Sequence, residues 1–310
     1  MIALLNSLPG AIAQGLIWGI MAIGLYITYK VLDIADLTVD GSITTGACVC
    51  AVLLTSGVNV WICLLLAFLA GALAGLVTGI FHTLMGIPPI LAGILTQLML
   101  WSINLKILGK ANMAVSSRNL PVLITALNNP MAILIVGLFV GGIIALLYFF
   151  FGTEIGCALR ATGNNEKMAN AQGINVKFSK VLGLMLSNGL VALSGALLAQ
   201  YQGFADINMG RGAIVIGLAA IIIGQTVVSW VGRNFALKLF GCAIGGVCYY
   251  LVYQFVIWLG LDTDLLKMLS ALVVAVFLAV PYLKKEYFTR PKKALRDTPK
   301  IDGEGGGNYA

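Results

Sequence analysis

Apolar residues fill this chain in long blocks, and short polar stretches separate the blocks. A run of 18 or more apolar residues with few or no charges reads as a helix that crosses a bilayer. By that rule the first span covers roughly 10–29, the third 60–80, the fourth 90–105, the fifth 131–151 and the sixth 178–201. An eighth covers about 237–259 and a ninth about 265–283. The second block, 41–55, is short against the ~20 residues of a full crossing, and the seventh is 213–230. Glycines stand four apart at Gly15 and Gly19 and again at Gly71, Gly75 and Gly79. Each set gives its helix a small-residue face for close packing in lipid. Pro88 and Pro89 break the chain before the fourth span. The pattern predicts an all-α polytopic membrane protein of about eight to nine spans, some short or broken, over residues 1–283. A basic tail follows at 284–310.

The polar stretches are unequal. No Asp, Glu, Lys or Arg occurs from 119 to 153 or from 181 to 205. Between these runs lies a polar island, 152–177, with Glu154, Arg160, Glu166, Lys167 and Lys177 and glycines at Gly156, Gly163 and Gly173. A few residues suffice to connect two helices, so this longer loop reads as a docking surface for a cytoplasmic partner. Its second half predicts a short helix, with Asn164 or Asn165 as cap, Glu166 in the first turn and Gly173 as the stop. A second polar knot covers 202–212. Residues 35–41 (ADLTVDG) resemble 205–211 (ADINMGR), and each set stands between a long span and a short one. Interrupted segments in corresponding halves point to a binding site or pathway near the membrane midplane.

Composition excludes a soluble domain with a single anchor. Only 10% of the 310 residues are charged, 60% are hydrophobic and the mean hydropathy is +0.98, whereas soluble domains carry about 25% charged residues. The net charge is +7, and residues 284–310 hold seven basic residues against four acids. The Lys/Arg bias assigns that tail to the cytoplasmic side. Counting back puts the 152–177 island inside as well, and 202–212 and 106–130 outside. The last of these carries Lys106, Lys110 and Arg118 and no acid, against the rule. The six cysteines match no zinc spacing, and no cleaved signal peptide is expected. GxSxG, HExxH, CxxC and GxxxxGK[ST] are absent. The chain is therefore expected to hold no hydrolytic site and no P-loop of its own.

The polar residues within spans are few. Charged groups in a spanning region are costly and usually functional. Asp36 and Asp40 admit two readings: they sit in water at the end of the first span, or they cap and line a broken second helix. In the second reading Asp40 is the N-cap before Gly41 and Ser42, and the helix N-terminus could face an anionic group of a solute. Thr38, Gln97, Asn104, Asn188 and Asn208 either bond neighbouring helices or line a path. His82 has no acid near it in sequence and reads as an interfacial residue.

Three stretches carry a family resemblance. EIGCALRATGNNEKMANAQGIN (154–175) resembles the cytoplasmic coupling loop of ABC importer permeases of the branched-chain amino acid and ribose type. IADLTVDGSITTGA (34–47) is similar to that family's segment at the start of the second helix, and MGRGAIVIGLAAIIIGQ (209–225) to its glycine-rich later segment. The three come in family order, and the likeness covers most of residues 10–283. Asp40 stands near a position where the family often has glycine. The resemblance implies the ABC importer permease fold in a bacterial inner membrane. It implies a permease homodimer, two cytoplasmic P-loop ATPase subunits carrying ATP and Mg, and an extracytoplasmic substrate-binding protein. It implies neither a cofactor or metal on this chain nor a nucleic-acid partner. Carried over by position, Glu154, Gly156, Arg160, Gly163, Glu166, Ala171 and Gly173 become coupling residues. Asp36, Thr38, Asp40, Gly41 and Ser42 become a pathway-lining broken segment, with Gly210, Gly212, Ala219 and Gly224 as its partner region. Gln97 and Asn208 join the pathway set.

The expected function is a permease subunit, not itself an enzyme, that moves a small polar solute inward. The pattern is similar to small permeases paired with lipoprotein receptors for amino acids, aromatic ones included. Branched-chain amino acids, nucleosides and sugars are alternative solutes. The rival from another class is an ion-coupled secondary transporter using Asp36 and Asp40. A membrane scaffold without transport is a second rival.

Overall fold

The computed structural model describes residues 2–115, 120, 122–228 and 234–258, with single positions at 268, 275 and 279. The expected ninth span apart from those three positions, the 284–310 tail and Arg118 lie outside the described residues. The helices are α1 (Ile2–Tyr26, prolonged by a π-helical turn Ile27–Val31), α2 (Val39–Thr55), α3 (Val60–Thr83), α4 (Pro89–Leu108), α5 (Asn129–Gly152), α6 (Glu154–Asn164), α7 (Glu166–Ala171), α8 (Val176–Gln202), α9 (Ala213–Val228) and α10 (Phe235–Trp258). Among the described residues, six helices are long and apolar enough to cross a membrane: α1, α3, α4, α5, α8 and α10. Helices α2 and α9 are shorter and apolar. The strands β1 (Asn112–Ala114) and β2 (Phe204–Asp206) pair antiparallel. They hold the 106–130 and 202–212 stretches at one end of the bundle, and α6 and α7 lie at the other.

Helices α1 and α8 form the buried centre and run antiparallel. Ser194 Oγ donates to the Ile17 carbonyl and Ser187 Oγ to that of Gly24. Helices α4 and α5 lie outermost, with Leu98, Leu134, Leu138 and Phe149 exposed. A bilayer supplies the apolar surroundings such side chains need, and its core is about 30 Å thick. The 17 residues of α2 rise only about 25 Å, so α2 alone does not traverse it. A non-helical segment, 32–38, leads into it from α1. Asp33 turns the chain there at φ 56, a conformation that Asp tolerates better than most residues.

The two halves of the chain have one plan, inverted. Helices α1, α2 and α3 correspond to α8, α9 and α10. After α1, Asp36 Oδ1 accepts from the N–H of Thr38 at 2.9 Å. After α8, Asp206 Oδ1 accepts from the N–H of Asn208 at 2.7 Å. Both are turns in which an aspartate bonds the backbone two residues on, and each leads into the short helix of its half. The faint likeness of 35–41 to 205–211 is thus structural. The halves are also swapped onto each other. α3 packs on α8 and α10 packs on α1.

Glycine makes those contacts close. A Cβ at Gly75 would strike the Leu184 carbonyl, and one at Gly71 the Asn188 carbonyl. Gly15 and Gly19 face the backbones of Val247 and Ala243 in the same way. Both small-residue faces expected from the spacing are therefore helix seams. Gly137 on α5 has nothing within 4 Å of its would-be Cβ. Gly75→Leu should accordingly destabilise the detergent-solubilised protein by ~3 kcal/mol or more, and Gly137→Leu should leave it unchanged. Thermal melting of the two variants checks this. Equal melting would refute the α3–α8 seam.

Candidate functional site

Helices α2 and α9 meet start to start. Ser42 in the first turns of α2 donates to Asn188 Oδ1 at 2.6 Å, and Asn188 lies halfway along α8. Helix α2 then runs outward alongside α8, with Gly46 against the Ala192 carbonyl and Cys50 beside Gln200. The N-terminus of α9 sits on the first turn of α2, and α9 runs the opposite way, parallel to α1. Asp40 is not the N-cap of its own helix, as the sequence suggested. Thr38 holds that position. Asp40 instead closes the other helix: its Oδ2 accepts from Gly212 N–H and its Oδ1 from Ile214 N–H, both at 2.9 Å. Thr44 Oγ1 accepts from Gly210 N–H at 3.1 Å, and Gly210 lacks a Cβ where one would strike the Asp40 carbonyl.

Asp36 serves the start of α2. It is 1% exposed, which ends the reading that it sits in water. Its Oδ2 accepts from Asn188 Nδ2 at 2.7 Å. Thr38 and Thr78 hydroxyls bond at 2.7 Å, and Thr78 donates on to Thr96 at 2.9 Å. The start of α2 is thereby tied to α8, α3 and α4. Asp36 and Asp40 occupy the two helix N-termini themselves, so neither terminus is open to an anionic solute group in this structure.

Two cavities flank this meeting point and share Arg211. The smaller, about 330 Å³, is lined by Asp40, Gly41, Thr44, Gln97, Trp101, Asn104 and Arg211. Asn104 is 1% exposed, and neither end of its amide has a hydrogen-bond partner among the described residues. The larger, about 540 Å³, takes Asn208, Arg211 and Gly212 together with Asp206, Trp18, Tyr249, Tyr250 and Tyr253. Of the expected pathway residues, Asp40, Gly41, Gln97, Asn208 and Gly212 border a cavity. Asp36, Thr38 and Ser42 are buried in the bonds just described, and Gly210 is buried in packing. Of the expected partner region, Ala219 is buried and Gly224 packs on the Gly241 carbonyl. Reasoning from sequence passed over Arg211 and the tyrosines. Their signal was a polar knot with one aspartate and one arginine and a one-turn aromatic repeat in the eighth span.

At the opposite end, the island forms two helices where one was expected. Thr153 caps α6, accepting from Gly156 N–H at 3.4 Å. Asn165 caps α7, accepting from Met168 N–H at 3.1 Å. Asn175 caps α8, accepting from Phe178 N–H at 3.1 Å. Gly173 closes α7 at φ 83, where an L side chain would be strained. The carried-over residues divide by role. Gly156 lies on the backbone of Phe150 and Phe151, and Gly163 on the Val31 carbonyl at the end of α1. Arg160 donates to the Phe151 carbonyl at 2.7 Å, in the last turn of α5. Glu166 pairs with Lys180 of α8 at 2.8 Å. Glu154 and Ala171 are exposed, and α7 exposes every residue except Ala169.

Asp40→Ala would leave two N–H groups of α9 without an acceptor. The Gly212 N–H is exposed and can turn to water, whereas that of Ile214 is half-buried; a buried donor left unmade costs about 1–3 kcal/mol, so the variant should lose about 1–2 kcal/mol of stability. Asp40→Asn keeps one acceptor and should lose less. Melting followed by tryptophan fluorescence checks the order, and a fully stable Asp40→Ala would refute the cap.

A family model described as the permease component of the branched-chain amino acid transport system matches residues 8–280. The chain is 41% identical over 298 residues to the tyrosine transport system permease protein of Clostridioides difficile (strain R20291), covering 96% of this chain and 98% of that one. It is 26% identical over 252 residues to the fructose import permease protein FruF of Bifidobacterium longum (strain NCC 2705), covering 78% and 68%. Among solved structures it is similar in fold to PsaBC from Streptococcus pneumoniae in complex with Fab, at a TM-score of 0.55 and 18% identity, over 92% of this chain and 99% of that one. The match over nearly all of the spanning region, with a bundle of that fold, means that the chain belongs to the family of branched-chain amino acid transport system permease components and is the membrane-spanning permease of an ABC importer.

Proposed function

We propose that this permease moves an amino acid inward, an aromatic one by preference, as a homodimer driven by two cytoplasmic ATPase subunits that carry ATP and Mg. An extracytoplasmic binding protein delivers the solute at the β1–β2 end. Helices α6 and α7 then face the cytoplasm, and α7 seats in the ATPase. The observation that carries this reading is the α6–α7 pair. It is capped at both starts, packed on the end of α1, bonded to α5 and α8, and exposes nearly all of α7, including Met168 at 60%. A solvated loop needs none of those attachments. A lever that passes motion from an ATPase to the bundle needs all of them. The amino-acid solute is supported by the name of the C. difficile relative.

The ion-coupled reading loses its footing. Asp36 and Asp40 spend their oxygens on backbone N–H groups and on Asn188, which suits fixed helix caps better than acids that load and release an ion.

The test is a pull-down of the tagged permease from membranes of its host. A P-loop ATPase should copurify in stoichiometric amount and be lost when residues 164–173 become a glycine–serine linker. Gly173→Pro, which cannot adopt φ 83, should abolish receptor-stimulated ATP hydrolysis in proteoliposomes. Recovery of the permease alone from a preparation still able to transport would overturn the proposal.

A further inference from the structure

Helices α1 and α10 meet through glycine, and rings stand beside that seam. Trp18 of α1 and Tyr250 of α10 have ring centroids 5.9 Å apart, and Tyr250 and Tyr253 5.8 Å apart. These rings form one wall of the cavity of about 540 Å³, within the ~300–1,000 Å³ range of small-molecule sites. The Trp18 indole N–H is buried in the protein without a hydrogen-bond partner among the described residues, although a buried indole N–H usually finds one. Asp206 and Arg211, from the connection between α8 and α9, border the same cavity. Arg211 makes no ion pair among the described residues. Asp206 accepts from Asn208 N–H and, at 3.3 Å, from Asn112 Nδ2; a carboxylate has about four acceptor sites, so capacity is left.

We propose that this cavity binds the zwitterion of an aromatic amino acid inside the permease, its ring on Trp18, Tyr250 and Tyr253 and its charged groups toward Arg211 and Asp206. The inference rests on the amino-acid importer reading and deepens it: the permease itself selects for the ring, and the external receptor is not the sole filter. The chemistry separates this guest from the alternatives. A sugar or a nucleoside brings neither a carboxylate for Arg211 nor an ammonium for Asp206. An aliphatic amino acid brings both charges and leaves the aromatic wall without a ring to pack against. A tyrosine phenol would also offer an oxygen to a donor such as the Trp18 N–H. Binding is weak, because a transported solute must leave again.

The experiment is equilibrium binding of radiolabelled L-tyrosine to the full-length permease in nanodiscs, without receptor, with L-leucine and tyramine as competitors. L-Leucine should compete about tenfold more weakly than L-tyrosine. Arg211→Gln should weaken L-tyrosine about tenfold and leave tyramine, which lacks the carboxylate, unchanged. Tyr253→Leu, at a half-buried position, should bring the preference over leucine to within about threefold. Equal competition by leucine, an equal loss of tyrosine and tyramine in Arg211→Gln, or an intact preference in Tyr253→Leu would each overturn the site. Uptake by the reconstituted importer separates the two levels. Receptor-dependent tyrosine uptake with no ring preference in the receptor-free permease sinks this inference alone, and an importer that moves no amino acid sinks the proposed function with it.

Discussion

Two helix N-termini facing each other inside a membrane protein are an electrostatic and hydrogen-bonding problem. Each carries about half a positive charge and a set of N–H groups without intrahelical acceptors. In hydrocarbon each unsatisfied group costs several kcal/mol. This permease solves the problem with its own carboxylates. Asp40 takes the first N–H groups of α9, and Asp36 takes the N–H of Thr38 and the amide of Asn188. The acids need the positive termini as much as the termini need the acids, since a buried carboxylate without donors would be more costly still. The inverted plan of the two halves depends on this exchange, because it fixes where both short helices begin.

The pivot is connected to the α6–α7 end by backbone contact. Gly163 of α6 rests on the Val31 carbonyl, and a side chain there would strike it. Val31 ends the π-turn of α1, and the chain reaches Asp36 within the non-helical segment that follows. On the other side, Glu166 of α7 holds Lys180 of α8, and Asn188 lies farther along that helix. Displacement of α6 and α7 therefore meets both partners of Asp36, one through α1 and one through α8. Close-packed backbones move as bodies and do not absorb strain by deforming, which is what a coupling element requires.

The sequence made some of this legible and hid the rest for identifiable reasons. Helical length, the Gly-x-x-x-Gly seams and the Asn165–Gly173 helix are local, and local chemistry specifies them. The repeat was visible because Asp36 and Asp206 perform the same local turn. Helix α6 was not expected, because its glycines carry no local helix signal, and only the fold shows Gly156 and Gly163 to be contact points that no larger residue could occupy. Asp40 was misassigned because its partners, Gly212 and Ile214, are far away in the chain. A cap normally serves the helix it precedes, and nothing local says that this one serves another. The aromatic wall was passed over for a similar reason. Tyr250 and Tyr253 are ordinary span residues until α10 is known to pack on α1.

The arrangement also bears on where a solute can be distinguished. At the pivot, the carboxylates, the hydroxyl of Ser42 and the amide of Asn188 are bonded to one another or to helix termini. A solute binding there would have to break those bonds, at about 1–3 kcal/mol for each group left bare, before it gained any. The pivot is thus a poor place to read chemistry and a good place to hinge. Groups with capacity to spare among the described residues lie beside it: the unpartnered amide of Asn104, the unpaired guanidinium of Arg211 and the indole N–H of Trp18. On the proposed reading, recognition and movement fall to adjacent but different residues, so the lining of a cavity can change without disturbing the helix termini beside it.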